Sequence, residues 1–134
     1  MEKLEHIGIA VKSLEKANAL FAGLLGRDHY KVEEVESEGV KTSFFEVSGV
    51  KIELLEGTHE NSPISKFIEK RGEGIHHLAF EVKNLDQKVK EYETNGFQVI
   101  NAQPKNGADN KRICFLHPKS TNGVLIELCQ EIES

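Results

Sequence analysis

The sequence predicts an α+β fold built from two paired β-α-β-β-β modules, and three observations carry that prediction. The chain repeats itself: EHIGIAVKSLEK (Glu5 to Lys16) overlays HHLAFEVKNLDQ (His76 to Gln87), and GVKIELLE (Gly49 to Glu56) overlays GVLIELCQ (Gly123 to Gln130). Each half shows the same order of apolar periodicities, an alternating run, a run spaced at three and four, and then further alternating runs. Finally, 134 residues are one domain's worth, or two small modules sharing a core, because a repeat of about 70 residues is marginal alone.

The elements follow in order. Leu4 to Val11 alternates as a strand, and Ser13 then caps a helix whose apolar residues Leu14, Ala17, Leu20, Phe21 and Leu24 share one side, with Gly26 as terminator. Strand-like stretches cover His29 to Val35, Val40 to Val47 and Val50 to Glu56, the last two hinged at Ser48-Gly49. These form the first module, residues 4–56. A polar linker, 57–74, holds a short helix opened by Ser62-Pro63 and carrying Ile64, Phe67 and Ile68. The second module, 75–130, repeats the order: a strand from Ile75 to Val82, a helix from Leu85 to Asn95 capped by Asn84 with Gln87 three residues on, and a stop at Gly96. Strands near Phe97 to Asn101, Arg112 to Leu116 and Val124 to Cys129 complete it. The loops Pro104 to Lys111 (PKNGADNK) and His117 to Asn122 (HPKSTN) are rich in turn residues and long enough to reach over a site.

Composition narrows the partners. A charged fraction of 29% with a net charge of −5 and no long basic tract argues against nucleic acid or an acidic membrane surface. No apolar run approaches the roughly 20 residues of a membrane span, and MEKLEHIGIA opens on acidic residues and strand alternation, so the expected location is cytoplasmic. Cys114 and Cys129 lie in strand-like runs without metal-type spacing and read as reduced thiols.

The repeat also selects the chemistry. It sets His6 on His77 and Glu53 on Glu127, one histidine and one carboxylate from each half. Alone, a strand histidine is more often a packing residue than a ligand, and a strand glutamate usually faces water. Recurrence of both types at matched positions makes the bland reading inadequate. Glu53 and Glu127 are bracketed by Ile52, Leu54, Ile126 and Leu128, where a carboxylate is costly to bury unless paired or metal-bound. Strand alternation sends His76 and His77 to opposite faces, and the match with His6 chooses His77. A modular pair that brings the four together offers two imidazoles and two carboxylates, a ligand set for Co, Ni, Mn, Zn or Fe(II). Two open positions would suit a chelating substrate whose carbonyl the metal polarises while a neighbouring C–H is deprotonated. A carboxylate beside that carbon serves as the base. His29, His59 and His117 have no repeat partner; His29 and His59 read as solvated.

With these residues in view, the chain resembles the vicinal oxygen chelate superfamily over Leu4 to Gln130, and the resemblance implies a curved mixed sheet around a metal site. Within it, LEHIGIAVKSLEKA, KIELLEGTHENSPISKFIEKRGEGIHHLAFEV and above all KRICFLHPKSTNGVLIELCQ are similar to the methylmalonyl-CoA epimerase family. The resemblance implies His6, Glu53, His77 and Glu127 as metal ligands and a metal-stabilised enolate through which the C2 stereoisomers interconvert. Glu127 is the expected base, with Glu53 a second catalytic candidate. Some epimerases place a further carboxylate where Thr42 stands here, which leaves the second base open. Among the cations Lys70, Arg71, Lys105, Lys111, Arg112 and Lys119, at least half read as solvated surface charge. Lys119 and Ser120 are the preferred anchors for an acyl-CoA thioester, followed by Lys111 and Arg112. The alternatives are a glyoxalase I-like lyase acting on a thiol adduct of methylglyoxal, and a metal-free small-molecule-binding or resistance protein. Family likeness and exposed sheet edges imply a homodimer.

Overall fold

The structure, a computed structural model, describes residues 3–100 and 105–132. The expected strand end at Asn101 and the start of the loop at Pro104 lie outside them. Contacts divide the chain into two compact units, one of His6–His76 and one that combines Met1–Glu5 with His77–Ser134.

The first unit holds strand β1 (Lys3–Ala10, begun in the other unit), helix α1 (Leu14–Leu25), strands β2 (Lys31–Val35), β3 (Val40–Val47) and β4 (Val50–Gly57), and helix α2 (Pro63–Arg71). Its strands run in the order β2-β3-β4-β1, with β1 and β4 parallel and the other pairs antiparallel. Helix α1 starts where expected because the Ser13 side chain accepts from the Lys16 N–H, and it ends where Gly26 takes φ 72°, a left-handed conformation open to glycine at little cost. The β3–β4 hairpin turns at Ser48 and Gly49, both with positive φ, as a tight hairpin turn requires. Ser62 caps α2 and Pro63 occupies its first turn. Gly57 matters here: a Cβ at that position would strike the Ser62 and Ser65 hydroxyls, so only glycine lets α2 begin against the end of β4.

Alternation assigns the faces. Val11, Leu14, Phe45 and Leu54 form a buried cluster with Ala17, Phe21 and Leu25, so α1 covers one side of the sheet. On the opposite side Ala10, Leu55 and Ile64 cluster with Val40, Phe67 and Ile68, so α2 covers only one end.

The second unit repeats this plan with β5 (Gly74–Glu81, begun in the first unit), α3 (Leu85–Thr94), β6 (Lys105–Asn106), β7 (Lys111–Leu116) and β8 (Ile126–Glu131). Strand order β5-β8-β7-β6 is the counterpart of β1-β4-β3-β2, again with the first pair parallel. Asn84 caps α3 by accepting from the Gln87 N–H. Helix α3 packs Leu85 and Val89 on Val82, Cys114, Leu116 and Leu128. One expectation is corrected. No strand runs through Phe97 to Ile100; Phe97 and Val99 are apolar because they pack on that cluster, Val99 making only a single bridge to Leu116, and β6 lies further on at Lys105–Asn106. Among the described residues no helix is long and apolar enough to cross a membrane.

Candidate active site

In the first unit the site grows from register. Parallel pairing sets Gly8 beside Glu53 and His6 beside Lys51, and antiparallel pairing sets Phe44 beside Glu53 and Thr42 beside Leu55. Register partners point to the same side and alternate along the strand, so His6, Gly8, Glu53, Phe44 and Thr42 share the face that α1 does not cover. His6 and Glu53 are 4% and 3% exposed, and His6 Nδ1 lies 3.1 Å from Glu53 Oε2. The pairing offsets the desolvation that a buried carboxylate suffers. Gly8 adds no side chain next to Glu53. Thr42 is fully buried and its Oγ1 has no hydrogen-bond partner, a deficit that costs about 1–3 kcal/mol where nothing repays it.

The second unit builds the same pair. Ala79 and Phe115 flank Glu127 in register as Gly8 and Phe44 flank Glu53. His77 Nε2 lies 3.3 Å from Glu127 Oε1, both side chains 7% exposed, and the His77 ring stands edge-on to Phe115 with centroids 6.1 Å apart. Two residues beyond Glu127 on the same face, Cys129 is fully buried and donates its Sγ–H weakly to the Phe80 carbonyl at 3.6 Å. Burial pushes its thiol well above the ordinary range, and the negative charges of Glu127 and Glu5 push it further. The thiol therefore stays protonated at neutral pH and is a poor nucleophile.

His76 behaves as alternation predicts. Its ring packs edge-on against Phe67 of α2 at 4.8 Å between centroids. His76→Ala is accordingly expected to retain the metal content of the parent, measured by elemental analysis, while His77→Ala loses it; the reverse pattern would overturn the assignment.

The expected anchors separate. Lys111 is on the Glu127 face, 4% exposed, with its Nζ 3.5 Å from Glu131 Oε1 and 3.9 Å from Glu81 Oε1. Arg112 points to the other face, where its guanidinium grips Asp86 at 3.2 and 3.3 Å and holds that carboxyl below its usual range. It does not join the ligand pair of its unit. In the HPKS turn His117 caps rather than ligates: its Nδ1 accepts from the Lys119 N–H at 3.0 Å, and Ser120 Oγ donates to the His117 carbonyl at 2.9 Å. The Ser120 hydroxyl thus shapes the turn, and Lys119 is exposed. His29, expected in solvent, instead sets its ring 5.9 Å from that of Phe45. Sequence reading missed the two phenylalanines beside the carboxylates, although SFFEV and ICFLH hold them at matched positions, and it missed Glu5, which is 4% exposed.

Two buried His–carboxylate pairs at matched register are a donor set suited to a borderline divalent ion, each pair able to give two ligands. A family model for the glyoxalase/bleomycin resistance protein/dioxygenase superfamily matches residues 5–115. The chain belongs to that superfamily. It is 40% identical over 130 residues to the Bacillus subtilis protein YqjC, spanning 97% of this chain and 93% of that one. It is 39% identical over 127 residues to the mitochondrial methylmalonyl-CoA epimerase of Dictyostelium discoideum, spanning 94% and 76%. Among solved structures, a Streptomyces coelicolor methylmalonyl-CoA epimerase variant in complex with 2-nitronate-propionyl-CoA superposes with a TM-score of 0.91 at 32% identity, covering 100% of this chain and 99% of that one. The vicinal oxygen chelate fold expected from sequence is thereby borne out, and the chain is an enzyme of the isomerase class, an epimerase.

Proposed function

We propose that the chain interconverts the two C2 stereoisomers of methylmalonyl-CoA, with His6, Glu53, His77 and Glu127 as the ligands of one divalent ion. The observation that carries this reading is the matched pair: in each half a buried histidine touches a buried glutamate at equivalent register, in a chain whose relatives are named methylmalonyl-CoA epimerases. When bound, the ion, Co, Ni, Mn or Zn, supplies Lewis acidity to the substrate's thioester oxygen. The chain's own residues do the rest. Glu127, flanked in register by Phe115 and Ala79, takes the proton from C2. Phe44 beside Glu53 and Phe115 beside Glu127 give each His–Glu pair an apolar neighbour. Lys119 meets the anionic end of the acyl-CoA, while Lys111, held by Glu131 and Glu81, lies at the far end of the face that carries Glu127.

The test sets two substrates side by side on metal-loaded protein: a single stereoisomer of methylmalonyl-CoA and the glutathione thiohemiacetal of methylglyoxal. Racemisation of the first without conversion of the second supports the reading. Conversion of the second alone would reassign the site to glyoxalase I-like chemistry.

A further inference from the structure

The two halves carry matched His–Glu pairs, so the pairs alone do not distinguish one half from the other for a substrate with two different ends. The repeat breaks beside the ligands. Where GVKIELLE overlays GVLIELCQ, Lys51 falls on Leu125, two residues before Glu53 and Glu127 respectively. Parallel pairing sets Lys51 directly beside His6, so it belongs to the face that carries His6 and Glu53. A second lysine joins that face within the same unit. Strand β2 pairs with β3 so that Lys31 stands opposite Phe44, which in turn stands opposite Glu53. One row across the sheet is therefore Gly8, Glu53, Phe44 and Lys31, and the row beside it is His6, Lys51 and Glu46. The side-chain geometry follows the register: Lys31 Nζ sits 4.4 Å from the centroid of the Phe44 ring, and that ring is fully buried, a fixed platform for the ammonium. Both lysines are partly buried. Lys31 Nζ also lies 3.7 Å from Glu33 Oε1, but with side chains 38% and 34% exposed the pair contributes little against a better-placed anion. Glu46, opposite Lys51, is exposed.

We propose that Lys51 and Lys31 bind the free carboxylate of a malonyl-type thioester and so fix that end of the substrate on the first half. The proposal rests on the epimerase reading above. Such a thioester carries negative charge in two places: a carboxylate bonded to C2 itself, and phosphates beyond a long flexible arm. A lysine beside His6, and another one ring away from Glu53, are placed for the first of these. An ammonium there donates charge-assisted hydrogen bonds to the carboxylate oxygens. The second half has Leu125 where the first has Lys51, so the preference runs one way. These are specificity-determining residues; they take no proton from C2.

Lys51→Met and Lys31→Met test this, because Met keeps the apolar stem and removes the charge. Calorimetric titration of metal-loaded protein compares malonyl-CoA with propionyl-CoA, which has the same thioester and phosphates but no carboxylate; metal content and thermal midpoint serve as controls. Each variant is expected to bind malonyl-CoA about tenfold more weakly or worse, the scale of one hydrogen bond to a charged group. Propionyl-CoA affinity, metal content and midpoint are expected to stay at parental values, and Lys51→Arg is expected to recover most of the malonyl-CoA affinity. With methylmalonyl-CoA as substrate the same variants are expected to raise KM and leave kcat near the parental value. Equal weakening of both thioesters overturns the proposal by assigning the lysines to the phosphates. Unchanged affinities, or weakening that comes only with loss of metal, in a parent that interconverts the stereoisomers of methylmalonyl-CoA, overturn the proposal alone. A parent that binds neither thioester and interconverts nothing overturns the epimerase reading and this proposal with it.

Discussion

Glu127→Ala is expected to remove both the bound metal and the turnover, the largest single effect in the molecule. Glu127 is 5% exposed and lies 3.3 Å from His77, so its loss takes one ligand and leaves the histidine without its anionic neighbour. It also removes the proposed first base, and general-base contributions of about 10²–10⁴-fold are typical. Ligand and base roles separate in the conservative variant: Glu127→Gln keeps an oxygen donor and is expected to retain more metal than alanine while turnover stays depressed. A Glu127→Ala protein with parental metal content and parental turnover would remove the basis for the site.

The second large effect concerns stability. Phe45 is fully buried, packs with Val11, Leu14 and Leu54, and sets its ring 6.3 Å from that of Phe21 on α1. Phe45→Ala removes a fully buried ring from the contact between α1 and the sheet and opens a cavity there. A loss of about 3–5 kcal/mol is expected, equivalent for a chain of this size to a fall of roughly 10–20 °C in the thermal midpoint. Denaturant and thermal unfolding measure it, and a loss under about 1 kcal/mol would show that α1 holds to the sheet by other means.

The ligand residues were legible because they recur. A histidine or a glutamate in a strand says little alone, but His6 with His77 and Glu53 with Glu127 fall at equal places in two similar runs, and alternation then discards His76. The helix starts were legible for a local reason: Ser13, Ser62 and Asn84 each satisfy an N–H within three residues, so the signal and its cause lie in one short segment. Cross-strand facts were not. Glu33 looks like any charge on an edge strand until pairing sets it opposite Thr42, and register depends on residues distant in sequence. Arg112 shows an error of a different kind, since applying to KRICFL the alternation used for IHHLAF separates it from Lys111 and turns it toward Asp86. The displaced strand near Phe97 reflects an ambiguity of apolar spacing, which records burial without saying whether a ladder or a helix does the burying.

The central claim is that this chain exchanges the C2 proton of methylmalonyl-CoA at a metal-dependent site. Proton NMR of the metal-loaded protein with methylmalonyl-CoA in deuterated water, beside a metal-stripped control, tests it most directly. The account predicts that the C2 proton signal disappears with the loaded protein and persists with the stripped one. A C2 signal that persists with Co, Ni, Mn and Zn alike would contradict it.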